Sequence, residues 1–196
     1  MRLPRLLLAG LLLGACAEPR QAREDDSGTL PPLTDRAAWR ERVGWSDDCE
    51  EGHAAVPPSE GSGVRTYPLG EGRHLVEVEC TRGAYQSGYV YALYDPRSTP
   101  ARATPLRFPI HDGERWTMEP EIAGTPTFDP ERRELEVFSK SRGIGDCGQL
   151  IRYGFPESGP ELLWVRARDC DDAPREDSVP PPEAWPLVPL SALPAR

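Results

Sequence analysis

The chain of 196 residues is sparing with lysine, histidine and long apolar runs, and each scarcity excludes something. Lys140 is its one lysine; every other cation is arginine, a usage from which no function follows. Its three histidines, His53, His74 and His111, stand far apart, and none lies beside a G-x-S-x-G nucleophile motif. No C-x-x-C pair and no Cys/His cluster exists, which removes the usual zinc frameworks and leaves no metal ligand set to name. The longest apolar run, Leu6 to Leu13, is too short to span a bilayer. No internal repeat is present, and nothing calls for a cofactor. Acids outnumber bases to a formal charge of −9, which argues against nucleic acid and against anionic lipid headgroups as partners because both would be repelled. The length suits one domain with a sizeable core.

What is present begins with an address. Arg2 and Arg5 precede the apolar run, so residues 1–15 read as an export signal. Leu13-Gly14-Ala15-Cys16 resembles the lipobox of bacterial lipoproteins, in which cleavage precedes the cysteine and its sulfur takes a diacylglycerol. That resemblance implies lipidation of Cys16, with enough acyl chains for a firm membrane anchor. Ala17 replaces the aspartate that would hold such a protein at the inner membrane, so the implied location is the cell envelope, at the outer membrane facing the periplasm. Without residues 1–15 the chain has 21 Lys and Arg against 32 Asp and Glu, a formal charge of −11. Residues 16–33 are polar and proline-bearing and read as a flexible tether. Residues 34–190 then form one domain, and 191–196 a tail.

Four further cysteines, Cys49, Cys80, Cys147 and Cys170, read as two disulfides in an exported protein. Three connectivities are open; sequential pairing, Cys49–Cys80 and Cys147–Cys170, is the expected one.

Thr34 is the expected N-cap of a short helix, with Asp35 at the positive end of its dipole; Ala38, Trp39 and Val43 share a face, and it ends near Gly44. Trp45–Glu51 leads into a Pro/Gly/Ser loop, Pro57 to Gly63. Period-two alternation follows. In Leu75–Cys80, Val76, Val78 and Cys80 face one way and Glu77 and Glu79 the other, the pattern of a half-buried strand. Tyr85–Tyr94 is an aromatic strand, Leu106–Phe108 a short segment, and the stretch with Pro120, Pro126 and Pro130 is irregular. Glu134–Phe138, Gln149–Phe155 and Leu162–Arg168 alternate again, the last two as a hairpin with Leu163, Val165 and Ala167 inward. In the proline-rich tail, Trp185, Leu187, Val188 and Leu190 are expected to pack down. The fold class is mainly β (α+β): antiparallel strands and hairpins with one short N-terminal helix, stapled by two disulfides.

The densest polar stretch is Ser139–Gly148. Its Gly143-Ile144-Gly145-Asp146-Cys147-Gly148 matches G-x-G-x-x-G, with Asp169 near the spacing of a ribose-binding acid. The match is rejected because a strand, not a helix N-terminus, is expected after the glycines. A tight loop is the better reading, with Lys140, Arg142 and Asp146 either binding an anion at exposed N–H groups or pairing to hold the loop. Tyr85, Tyr89 and Tyr91 share a side by parity and offer an aromatic platform for a sugar or peptide, or core packing. The acid runs Asp47–Glu51 and Asp169–Asp172 lack the spacing of a calcium loop and read as solvated edges.

These residues resemble the bacterial domain-of-unknown-function family 1176, exported proteins with paired cysteines. The resemblance rests on Phe138, Lys140 and Arg142 through Gly148, on the block Leu75–Tyr85, and on Asp48-Cys49, Ala167–Cys170 and Trp185-Pro186. Gln86 and Ser141 depart from the family's asparagine and glycine. The resemblance implies that the family's N-terminal half is missing here, with any activity residing in it, and it implies no activity of its own. Three functions remain. The first is a non-catalytic binding or structural module of the envelope, with a periplasmic protein or envelope glycan as partner. The second is an inhibitor of a basic enzyme such as lysozyme, since Gly61–Arg65 is similar to a motif of such inhibitors. The third is a cell-wall hydrolase using Asp146.

Overall fold

The computed structural model describes residues 29–55, 61–98, 101–112, 114–171 and 180–194. Cys16, the export signal and most of the tether lie outside them. Two helices come first, where one was expected. Helix α1 (Arg36–Val43) is capped by Asp35 and not by Thr34: Asp35 Oδ1 accepts from Ala38 N at 3.0 Å, and the helix ends at Gly44 with φ +78°. Helix α2 (Asp47–Ala54) begins at Ser46, whose hydroxyl accepts from Cys49 N. Asp47, Asp48 and Glu50 fill its first turn, where the helix dipole favours acids. The acidic run Asp47–Glu51, read as a solvated edge, is a helix start whose Asp47, Asp48 and Glu51 are exposed.

Ten strands follow: β1 (Val64–Gly70), β2 (Arg73–Arg82), β3 (Ser87–Asp95), β4 (Arg102–Pro105), β5 (Phe108–His111), β6 (Trp116–Glu119), β7 (Glu121–Asp129), β8 (Glu134–Lys140), β9 (Gly148–Gly154) and β10 (Glu161–Arg168). The chain is mainly β, as expected. Eight strands make one antiparallel sheet in the order β1-β2-β3-β7-β8-β9-β10, with β4 on β3; β5 and β6 form a separate hairpin. Strand β1 begins directly after the Pro57–Gly63 loop, and β6 and β7 occupy the supposedly irregular stretch. Pro126 is tolerated because β7 pairs with β3 only through Glu121–Gly124 and with β8 from Thr125 onward. The proline stands past the end of the β3 ladder, where a missing N–H on that side costs nothing.

The sheet curls around one core. Leu69 of β1 and Val165 of β10 share one core, and Arg73 Nη1 donates to Pro156 O (3.1 Å) and Glu157 O (3.2 Å) in the β9–β10 turn. The β5–β6 hairpin closes this interior with Phe108, Ile110 and Trp116. On the sheet's other face, Val76, Val78 and Cys80 pack against Trp39, Trp45 and Cys49 of the helical layer. The Cys49–Cys80 disulfide joins α2 to β2, and Cys147–Cys170 joins the β8–β9 loop to the end of β10. The sequential pairing is therefore the one present. Two disulfides fit an exported, oxidising compartment. No helix among the described residues is long and apolar enough to cross a membrane.

Because β2 is covered on both faces, the expectation that Glu77 faces solvent is corrected. Its side chain is buried, accepting from Tyr91 OH (3.0 Å), Tyr67 OH (3.2 Å) and Arg65 Nη1 (2.8 Å). Burial first, then the Glu77 charge, pushes the Tyr67 hydroxyl up to about 12. Two smaller corrections concern β10 and the tail. A bulge between Leu162 and Trp164 resets parity, so Leu162 is buried and Leu163 only half-buried. In the tail Trp185 is buried and Val188 packs on the core, whereas Leu187 and Leu190 are exposed.

Candidate functional site

The β8–β9 loop holds the residues singled out by sequence. Ser141 N donates to Cys147 O (3.1 Å) and Gly145 N to Arg142 O (3.0 Å), folding residues 142–145 into a tight turn. Gly145 has φ +72° and Gly148 φ +139°, and a Cβ at Gly148 would run into Ser139 O, so glycine is required there. Strand β9 follows the glycines, so no helix N-terminus exists to receive a phosphate.

Arg142 and Asp146 clasp across this turn. Arg142 Nε donates to Asp146 Oδ1 at 2.7 Å and its Nη2 to Oδ2, with the aspartate buried and the arginine 46% exposed. Those hydrogen bonds, with help from the aspartate's own N–H and the charge of Arg168, hold the Asp146 carboxyl below the usual range. An ionised carboxylate with both oxygens engaged is unsuited to donating a proton, which counts against a hydrolase built on Asp146. The clasp should contribute stability above the unfolded carboxylate pKa, lost as pH falls through the lower folded value. Asp146→Asn should therefore lower the urea midpoint at neutral pH, with a gap that narrows below about pH 4. A gap independent of pH would show that the charge does not hold the loop.

The tyrosines separate. Strand β3 begins at Ser87, so Tyr85 sits in the preceding turn, 74% exposed, while Tyr89 and Tyr91 are buried in the core. The shared parity of Tyr89 and Tyr91 is real, but the side they share is the interior of the sheet. Tyr85 instead lies over the signature loop: a Cβ on Gly143 would sit 3.0 Å from its ring. Next to it, Gln86 docks on the backbone of Lys140, donating from Nε2 to Lys140 O (3.1 Å) and accepting from Lys140 N (3.0 Å). Lys140, Arg142, Asp146 and Tyr85 thus gather at one corner, and Tyr89 and Tyr91 do not join them. Lys140 Nζ lies 5.9 Å from the Phe138 ring centroid.

Beside this corner is an open cleft of about 650 Å³. Ser141 and Gly148 belong to one wall, Arg168 and Asp169 to the end of β10, His111 and Trp116 to the β5–β6 hairpin, and residues 180–192 to the tail. The His111 and Trp116 rings lie 5.2 Å apart. Gln149, its amide oriented by the hydrogen-bond network, donates to Pro109 O (2.9 Å) and accepts from His111 N (3.0 Å), fixing the hairpin against β9. The tail is held by Ala167 N donating to Pro186 O (3.1 Å), Val188 N to Val165 O (2.9 Å) and Arg166 Nη1 to Trp185 O (2.6 Å). His111, Trp116 and Arg168 carry no local signal that marks them as cleft residues; only the return of β5–β6 and the tail to β9–β10 brings them together.

The three histidines remain apart, on α2, β2 and β5. Burial, then the nearby Arg36 charge, lowers the pKa of His53, and burial lowers that of His74. No group of three His, Cys, Asp or Glu suited to a metal occurs among the described residues. In the segment similar to an inhibitor motif, Val64 is buried, Arg65 bonds Glu77 and Ser62 O accepts from Arg36 Nη1 (2.9 Å), so its groups serve the fold.

No solved structure matches the chain. It is 30% identical over 126 residues to the uncharacterized protein YpfG of Escherichia coli (strain K12). The match covers 64% of this chain and 34% of that relative, so the chain spans about a third of the relative's length. The family model described as "Protein of unknown function (DUF1176)" matches residues 15–188, which extends the resemblance read from the sequence toward the N-terminus. With the loop, its cysteines and Trp185-Pro186 all inside that match, the chain belongs to the DUF1176 family.

Proposed function

We propose that this chain is a cell-envelope lipoprotein, anchored through Cys16 at the outer membrane, whose domain is a non-catalytic binding module. Export-type residues at 1–15, the lipobox-like segment and two disulfides support the address. The observation that carries binding is the composition of the cleft. A half-buried Trp116 beside His111 lines the same space as Arg168, Asp169 and Ser141, an aromatic face with convergent polar groups. Several segments that carry the family resemblance, Gly148, Ala167–Asp169 and Trp185-Pro186, wall this cleft. An envelope glycan or the peptide attached to it suits such a site: the ring stacks on one face and the polar groups orient the other.

Calorimetric titration of the protein with cell-wall disaccharides, stem peptides and the joined disaccharide-peptides tests this and separates the two sources. Binding is expected for at least one class, weakened about tenfold or more by Trp116→Ala, roughly 1.4 kcal/mol. No heat with any of the three, or equal affinity in the variant, would reject the cleft as the site. For the anchor, labelled palmitate is expected to enter the wild type and not Cys16→Ser.

A further inference from the structure

The hairpin that brings His111 and Trp116 to the cleft is a sheet of two strands, and its two edges are treated differently. Asp112 N donates to Arg115 O (3.1 Å), so residues 112 and 115 form a bonded pair. Antiparallel pairs alternate between bonded and unbonded. In the register Ile110↔Thr117 and Phe108↔Glu119, these residues bond across the hairpin, while Pro109, His111, Trp116 and Met118 turn their main-chain groups outward. On the β5 side the outward groups are taken: the Gln149 amide donates to Pro109 O and accepts from His111 N. On the β6 side, Met118 O accepts from Arg107 Nη2. Trp116 N–H, Trp116 C=O and Met118 N–H have no partner among the described residues, and no strand lies beside them there.

We infer that the cleft takes its ligand as an extended peptide laid along this free edge of β6, an inference that rests on ligand binding in the cleft. Trp116 O and Met118 N flank Thr117 as Pro109 O and His111 N flank Ile110. The open edge therefore presents the same acceptor and donor that an amide already fills on the closed one. A peptide residue matches that pair, because in a strand its own N–H and C=O point to the same side. The N-acetyl group of a sugar does not, since its single trans amide sends N–H and C=O in opposite directions. His111 and Trp116 stand directly opposite each other with rings 5.2 Å apart, so they share a face. Alternate side chains of an added strand would stand on that face, beside the Trp116 ring that lines the cleft. The edge is also stiff before anything binds. Asp112 Oδ1 closes the turn by accepting from Glu114 N (3.0 Å) and Arg115 N (2.9 Å), and Gln149 fixes the far strand, so little is ordered on binding. At four residues, β6 suits a short peptide.

The test is calorimetry of the full chain with a stem peptide, the cell-wall disaccharide and the joined disaccharide-peptide. The peptide and the joined ligand are expected to bind, and the disaccharide alone is not. Met118→Pro deletes an outward N–H and spares the bonds to β5, so it should weaken peptide binding roughly tenfold with an unchanged urea midpoint. Peptides with one amide at a time replaced by an ester probe the unaltered protein. At least one should bind about tenfold more weakly, having lost its N–H to Trp116 O. The Met118 amide should exchange quickly in the free chain and slowly in the peptide complex. Binding of the disaccharide without the peptide would overturn the inference and leave the cleft standing as a site; no heat with any ligand would remove both. Peptide affinity unchanged by Met118→Pro and by every ester, with Met118 left unprotected, would also overturn it.

Discussion

Glu77→Ala is expected to destabilise the domain by about 3 kcal/mol in urea denaturation, a large share of a typical domain's total. The loss has two parts. Tyr91 OH is buried and donates to Glu77, so removal of the carboxylate leaves it without an acceptor. The shorter side chain also leaves a void between β1, β2 and β3. Arg65, 63% exposed, can turn to water and adds little. Glu77→Gln should cost less, because the amide fills the space and keeps one acceptor. It should also lower the Tyr67 pKa from about 12, without returning it to the ordinary value, since burial is the larger cause. Tyrosinate absorbance follows that shift. With Tyr91→Phe in the background the cost of Glu77→Gln should shrink, which a double-mutant cycle measures. A loss below about 1 kcal/mol for Glu77→Ala would mean that the cluster is incidental to stability.

Replacing Cys147 and Cys170 together by alanine is expected to cost about 3.5 kcal/mol, from the chain entropy released by opening a closure with sequence separation 23. Cys49 and Cys80, with separation 31, should cost about as much, because closure entropy grows only slowly with length. The two losses differ in where they appear. Cys147–Cys170 holds the signature loop to the end of β10, so its removal should raise amide exchange across Ser141–Gly148 and the cleft wall beyond any global effect. The other should loosen α2 from β2. If both double variants raised exchange only in proportion to global stability, neither bond would be positioning its segment.

Much of the strand content is legible in the chain because alternation survives wherever one face packs on a core. Leu135 and Val137 of β8 are a clean example, buried while Glu134, Glu136 and Phe138 around them are only half-buried. Alternation fails where a strand is covered twice. Glu77 reads as outward by parity, yet the curled sheet buries it, since the polarity of one residue is outweighed by three hydrogen-bonding partners drawn from β1 and β3. It fails again at the β10 bulge, where one extra residue shifts the phase. Helix α2 is obscured for a different reason: acids and a cysteine carry no amphipathic stripe, and its stability comes from its cap, its dipole and its disulfide. Tyr85 shows the limit at the site. Its parity with Tyr89 and Tyr91 is arithmetic, but β3 starts two residues later, and only the turn at 83–86 places it over Gly143.

The loop was recognisable in one dimension because its needs are local: glycines at positive φ, a cysteine at its base, and an arginine four residues before an aspartate. That the cysteines form two disulfides is readable from their count, with sequential pairing favoured, but which of the three connectivities forms is decided by the fold. Whether Arg142 and Asp146 face each other or a ligand was decided only in three dimensions, by a turn tight enough to close a two-point clasp. The cleft belongs wholly to the tertiary structure. Its groups come from positions 111, 116, 141, 168 and the tail, and no short-range rule links residues that meet only when a curled sheet brings its hairpin and its last strand together.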